Sequence, residues 1–116
     1  YRELARLIQK HRKFSPKSAN ITFYEKLGPK RIATASFERG VFDFTPACGT
    51  GAVAAAAVFK DKSSLPIKNV KLRVPGGLLE VAFQHKRPHL IGPARHIAVV
   101  KSSYGGHYDK YRKADS

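Results

Sequence analysis

The chain has 116 residues, of which 42% are hydrophobic, and this length and composition indicate one folded domain. It carries 22 Lys and Arg against 8 Asp and Glu, for a formal charge of +14. Its one cysteine excludes an internal disulfide framework and a cysteine-rich zinc site. No apolar run approaches the roughly 20 residues of a transmembrane helix, and no signal peptide is visible. We therefore expect a cytoplasmic protein without a membrane partner.

The positive charge is concentrated at the two ends of the sequence. Residues 1–31 carry a net charge of +7 and residues 85–116 carry +5, whereas residues 32–60 are neutral. Such a distribution is typical of nucleic-acid-binding proteins, but it also occurs as the solvated face of a soluble protein. No RNA-binding signature or zinc-ligand spacing accompanies the charge, so nucleic-acid binding is the less favoured interpretation. Residues 102–116 are predicted to form a mobile basic tail.

The first predicted elements are a helix and two paired strands. Apolar residues within 4–11 recur at the spacing of an amphipathic helix. We expect this helix to end near Phe14, because Pro16 follows it closely. Residues 20–26 alternate between the two sides of a strand, and residues 30–37 are predicted to pair back on them.

The second half of the sequence is predicted to consist of further strands. Residues 70–74 and 79–83 alternate on either side of a Pro-Gly-Gly turn, which predicts a β-hairpin. Two shorter apolar runs, at residues 89–91 and 96–101, complete a set of about six strands.

Between these groups of strands lies a predicted helix with no polar face. Residues 51–59 consist of glycine, alanine, valine and phenylalanine, so that every side of the helix is apolar. A helix that is hydrophobic all round is typical of a protein interior. We therefore predict an α+β fold in which β-strands wrap around a buried central α-helix.

The most distinctive segment is Ala-Cys-Gly-Thr-Gly at residues 47–51, directly before this helix. The first turn of a helix offers free N–H groups and a partial positive charge, which favour a bound anion. Gly49 and Gly51 allow a ligand to approach the backbone. A lone cysteine is usually a small core residue, but a thiolate at a helix start is stabilised. The pattern therefore predicts that Cys48 acts as an acid/base or a nucleophile.

A second candidate group lies ten residues upstream of the cysteine. Glu38 and Arg39 offer a carboxylate beside a guanidinium, which together suit the ammonium and carboxylate of a free amino acid. The alternative interpretation is an exposed ion pair at the end of a strand. Asn20 is typical of a turn or a strand start, but its amide is also a candidate contact for the same ligand.

These motifs resemble a known enzyme family. Phe-Glu-Arg-Gly-Val at residues 37–41 and Thr-Pro-Ala-Cys-Gly-Thr-Gly-Ala at residues 45–52 are similar to the second half of diaminopimelate epimerase. The similarity extends to Ser-Ala-Asn-Ile-Thr-Phe at 18–23, Pro-Gly-Gly-Leu at 75–78 and Gly-Pro-Ala at 92–94. Proline racemases have a similar cysteine motif but lack the Glu-Arg-Gly element, so the resemblance to diaminopimelate epimerase is favoured.

The resemblance implies a fold, a mechanism and a set of site residues. Enzymes of this family consist of two pseudo-symmetric halves, each with strands around a central helix, and the active site lies between them. They use neither pyridoxal phosphate nor a metal, because two cysteines, one from each half, remove and deliver the α-proton. The resemblance implies Cys48 as one of these catalytic cysteines. It implies substrate contacts from Asn20, Glu38, Arg39, Gly49 and Thr50.

The resemblance also implies a domain organisation and partners. Residues 1–101 correspond to the C-terminal domain of an amino-acid epimerase of lysine biosynthesis. Inversion of a stereocentre by proton transfer needs an acid and a base on opposite faces of the carbon, so one cysteine serves one face only. We expect the chain to be competent only with an N-terminal half of the same enzyme, and we expect its substrate to be a small amino acid. A homodimer is a candidate assembly. The alternative is a non-catalytic basic module that contacts RNA or an acidic partner.

Overall fold

The computed structural model describes residues 1–103, so most of the predicted tail, from residue 104 onward, lies outside the described residues. Within them the chain forms two α-helices, one 3₁₀ turn and six strands. In chain order these are α1 (Arg2–Gln9), the 3₁₀ turn (Arg12–Phe14), β1 (Ile21–Gly28), β2 (Arg31–Glu38), β3 (Asp43–Phe44), α2 (Gly49–Lys62), β4 (Asn69–Val74), β5 (Gly77–Gln84) and β6 (Arg87–Ile91).

All six strands belong to one mixed sheet. The strand order is β1-β2-β4-β5-β6, and the short β3 pairs with β2 beyond the end of the β2–β4 contact. Among the six strands of residues 1–103, only β2 and β4 are parallel, and α2 makes the crossover connection that a parallel pair requires. The described chain is therefore a mixed α+β structure, as the sequence predicts.

The main hydrophobic core lies between α2 and one face of the sheet. Residues of a strand point alternately to its two faces, so every second residue of β2, β4 and β5 can reach the helix. The small alanines of α2 let the helix approach the sheet closely. The buried residues of this core are Ile32, Ala52, Ala55, Ala56, Phe59, Ile67, Val70, Leu72 and Val81.

The sheet encloses α2 only in part, which corrects the prediction of a helix buried on every side. The helix contacts strands across the whole sheet, from β1 at one edge to β6 at the other. However, Ala54 and Ala57 are exposed, and Val58 keeps 43% of its surface accessible. An apolar sequence shows that a helix can be covered on all sides, but the number of strands available determines how many sides are covered.

A smaller core on the opposite face holds α1. Ala5 is fully buried there, and the rings of Phe37 and Phe44 lie 5.5 Å apart. The side-chain amide of Gln9 donates to the carbonyl of Ala19 at 2.9 Å and thereby joins the end of α1 to the segment before β1. The two helices thus pack on opposite faces of one sheet.

The strands predicted at residues 20–26, 30–37, 70–74, 79–83 and 89–91 are confirmed with small changes of boundary. The prediction of a strand at residues 96–101 is wrong, because this segment is exposed and does not pair with any strand among residues 1–103. A run of alternating residues becomes a strand only beside a neighbour, and β6 ends at Ile91. The first helix ends earlier than predicted, at Gln9, and the 3₁₀ turn continues to Phe14.

Among residues 1–103, neither helix combines the length and the apolar character needed to cross a membrane.

The core between α2 and the sheet should dominate stability. Replacing Leu72, which is 1% exposed, by alanine should lower the free energy of unfolding by about 2–5 kcal/mol, because it removes buried methyl groups and leaves a cavity. The matched control is Leu78→Ala on the adjacent strand, where the leucine is 70% exposed and the expected change is within about 0.5 kcal/mol. Urea unfolding followed by circular dichroism measures both, and equal losses would contradict the placement of this core.

Candidate active site

Cys48 occupies the N-cap of α2. Its backbone is extended, with φ −138° and ψ 109°, and its Sγ accepts a hydrogen bond from the Gly51 N–H at 3.4 Å. The side chain is 8% exposed. Serine, threonine, aspartate and asparagine are the favoured N-cap residues, and sulfur is a weak acceptor. Helix capping alone therefore does not account for a cysteine at this position, which favours a chemical role.

Two polar groups of the first turn of α2 contact this sulfur. The Thr50 hydroxyl lies 3.5 Å from the Cys48 Sγ. The first α-helical hydrogen bond runs from Ala52 N to Cys48 O at 2.9 Å, so the N–H groups before Ala52 are outside the regular helical pattern. The half-buried Gly49 is one of the residues that carry them. Their N–H groups and the helix dipole favour an anion at this end of α2.

A pair of hydroxyl groups lies directly beneath the first turn of α2. The Thr22 and Ser36 hydroxyls, on neighbouring strands β1 and β2, are hydrogen-bonded at 2.7 Å. A Cβ atom at Gly51 would lie closer to both hydroxyls than side-chain carbons are found in proteins. Gly51 therefore permits a close approach of helix and sheet, and this approach positions the N–H that contacts Cys48.

Asn20 and Arg39 are joined by a hydrogen bond. The Asn20 Oδ1 accepts from the Arg39 backbone N–H at 2.9 Å. Asn20 also lines a cavity of about 360 Å³ together with Thr50 and Gly51. The Arg39 guanidinium is exposed and donates to the Lys17 carbonyl at 3.3 Å. The structure thus brings the predicted residue Asn20 to the start of α2 and connects the Arg39 backbone to it.

Glu38 is the predicted site residue that is least connected to the others. It is half-buried at the end of β2, where it lies opposite Asp43 of β3. It does not form the alternative ion pair with Arg39, since the ion pair within residues 1–103 joins Arg2 to Asp43 at 3.0 Å. The described contacts do not link the Glu38 side chain to Cys48, so its role stays a prediction.

Sequence reasoning missed Thr22 and Ser36 as parts of the site. The alternation of β1 places Thr22 and Tyr24 on one face, but alternation alone does not indicate which face of a strand meets a helix. The structure shows that this face of β1 meets α2, because the centroids of the Tyr24 and Phe59 rings lie 6.4 Å apart. Among the described residues, no three His, Cys, Asp or Glu side chains are grouped so that they could hold a metal ion.

The contact beneath Gly51 can be tested by substitution. Gly51→Ala should lower the free energy of unfolding by about 1–3 kcal/mol through overpacking, although alanine is the better helix former by about 1 kcal/mol. In a Thr22→Ala/Ser36→Ala background the two hydroxyls are absent, so the same substitution should cost much less. Urea unfolding of the four proteins gives both values. An equal cost in the two backgrounds would show that the hydroxyl pair does not restrict Gly51.

The chain is similar to proteins of one enzyme family. The diaminopimelate epimerase family model matches residues 2–97. The diaminopimelate epimerase of Thermotoga maritima is 48% identical over 61 residues, which cover 53% of this chain and 25% of that protein. That of Flavobacterium psychrophilum is 36% identical over 84 residues, covering 68% and 33%. That of Desulforudis audaxviator is 36% identical over 101 residues, covering 84% and 34%.

The chain thus spans at most about a third of the length of these three curated relatives. The match to the family model nevertheless includes every element from α1 to β6, together with the segment that carries Cys48. The chain belongs to the diaminopimelate epimerase family.

Proposed function

We propose that this chain supplies one half of the active site of a cofactor-independent amino-acid epimerase, with a substrate of the diaminopimelate type. Family membership and the names of the three relatives support the reaction and the substrate class. The observation that carries the proposal is the Cys48 Sγ at the N-cap of α2, 3.5 Å from the Thr50 hydroxyl. In this proposal the Cys48 sulfur acts as a base in its thiolate form, the form of cysteine that can accept a proton.

In the proposed reaction, the Cys48 thiolate removes the α-proton from one face of the substrate. An S–H bond forms as the C–H bond breaks, and the electron pair stays on the α-carbon, conjugated with the carboxylate. A second thiol on the opposite face then gives its proton to the carbon and becomes a thiolate. At the end of the reaction Cys48 is a thiol and the second cysteine is a thiolate, which is the reverse of the starting state. The reaction therefore needs no oxidant, and the same two groups can catalyse it in the opposite direction.

The remaining site residues are proposed to hold the substrate. Arg39 binds the α-carboxylate, because a guanidinium can form two parallel hydrogen bonds to it, and Glu38 binds the α-ammonium. Gly49 and Thr50 donate N–H groups of the first helical turn to the same carboxylate. Asn20, which lines the cavity with Thr50, contacts the distal end of the substrate.

The second acid/base is proposed to come from an N-terminal half. The chain has one cysteine, and inversion needs groups on both faces of the carbon. The four histidines among residues 1–103, His11, His85, His89 and His96, are all exposed, and none of them lines the cavity that Asn20, Thr50 and Gly51 share. We propose residues 1–101 as the C-terminal domain of the enzyme. A homodimer of the complete enzyme stays a prediction.

Cys48→Ser separates the chemical role of this residue from its capping role. Serine is a favoured N-cap, so the variant should be at least as stable as the natural protein. Its hydroxyl is a far weaker acid at neutral pH, so α-proton exchange should fall by about 10²-fold or more. The measurement is exchange of the α-proton of diaminopimelate in heavy water, followed by NMR, with the complete gene product that contains this chain.

Two outcomes of that experiment would contradict the proposal. Exchange that survives in Cys48→Ser at the natural rate would remove Cys48 from the chemistry. Absence of exchange in the natural protein with every diamino acid tested would favour the alternative of a non-catalytic module that contacts RNA or an acidic partner. A salt titration tests the RNA version, because phosphate contacts make affinity fall steeply with salt.

Arg39→Gln tests the proposed carboxylate contact. Loss of the two parallel hydrogen bonds should raise KM by about tenfold or more, because charge-assisted hydrogen bonds contribute about 1.5–3 kcal/mol to binding. The matched control is Arg12→Gln in the 3₁₀ turn, which removes the same charge from an exposed position and should leave KM unchanged. An unchanged KM in Arg39→Gln would exclude Arg39 from substrate binding.

A further inference from the structure

A second groove lies on the sheet face opposite to α2, and the proposed function does not use it. Strand alternation places Arg31, Lys71 and Arg73 on this face, because their neighbours Ile32 and Leu72 belong to the core with α2. The three cations line one cavity of about 500 Å³. We call the cavity defined by Arg31, Lys71 and Arg73 the basic groove.

The arrangement of charge in the basic groove is unfavourable for the isolated fold. Arg31 and Lys71 lie directly opposite each other on β2 and β4, and Arg73 follows two residues later on the same face. Like charges directly opposite in a sheet are destabilising. Within residues 1–103, none of the three forms an ion pair. Glu80, the carboxylate of the lining, faces Lys71 but accepts a hydrogen bond from Asn69 at 2.7 Å.

The walls of the basic groove are aliphatic. Leu27, Leu78 and Ile91 line it and are 38%, 70% and 49% exposed. None of the lining residues that the structure describes is aromatic. Proteins that bind single-stranded nucleic acid stack its bases on aromatic side chains, so this groove lacks the platform that RNA needs. Its chemistry suits a ligand that combines several carboxylates with aliphatic groups.

We propose that the basic groove binds an extended acidic segment of a partner protein. Lys71 and Arg73 are two residues apart on β4, which separates them by roughly 6.6 Å along the strand. Alternate side chains of an extended peptide have the same spacing, so carboxylates at alternate positions of the segment meet successive cations. Aliphatic residues at its ends pack on the walls. The proposal is independent of the epimerase function and assigns a role to part of the +14 charge.

The test measures binding of a labelled synthetic peptide to the full chain by fluorescence anisotropy at low salt, where charge is least screened. The peptide carries glutamates at three alternate central positions, serines between them and two valines at each end. The variant Arg31→Gln/Arg73→Gln should weaken binding by about tenfold or more, since two charge-assisted contacts are lost. The matched control, Arg12→Gln/Arg87→Gln, removes two exposed arginines outside the groove and should change affinity less than about twofold.

A second variant tests the aliphatic walls. Leu78→Ser changes no charge and replaces an exposed side chain, so the fold should be retained while peptide affinity falls severalfold. Three results would overturn the proposal: no binding of the peptide by the natural chain, equal weakening by the two arginine pairs, or a single-stranded RNA bound more tightly than the peptide with the same dependence on Arg31 and Arg73. Either of the first two results would show that the basic groove does not bind the acidic peptide specifically. The third result would show that the ligand of the groove is a nucleic acid and not an acidic segment.

Discussion

The close contact between the first turn of α2 and the Thr22–Ser36 hydroxyl pair is the constraint on which the candidate site depends. The two hydroxyls join β1 to β2 at 2.7 Å, and the helix backbone can lie against them only because residue 51 has no side chain. This contact fixes the Gly51 N–H that donates to the Cys48 Sγ. The same turn places Thr50 in the cavity that Asn20 lines from the strand side.

The sheet separates two kinds of surface. One face carries α2 with the candidate acid/base, and the other carries α1 and the basic groove with Arg31, Lys71 and Arg73. Because residues of a strand alternate between faces, a single β-strand contributes to both. In β4, Leu72 supports the helix while its two neighbours line the groove. The proposed chemistry and the proposed partner binding therefore occupy different faces and can be altered by separate substitutions.

Much of this arrangement could be predicted from local patterns. The hairpin of β4 and β5 and the position of Cys48 at a helix start follow from alternation, turn residues and an apolar run. Contacts distant in sequence could not be predicted in this way. β3 has two residues and no periodicity, so only its pairing with β2 defines it. Residues 96–101 have the pattern of a strand but lie beside no strand within residues 1–103. The exposed side of α2 likewise depends on how far the sheet curves.

The reactivity of Cys48 tests whether its sulfur contacts the reacting carbon of an amino-acid substrate. The measurement is the rate at which iodoacetamide alkylates Cys48 in the complete gene product, followed by mass spectrometry of its peptide, with increasing diaminopimelate. We predict saturable protection with a half-effect near the KM for epimerisation, because bound substrate covers the sulfur. An alkylation rate that stays constant at saturating substrate, in a protein that still turns over, would show that Cys48 lies outside the substrate site.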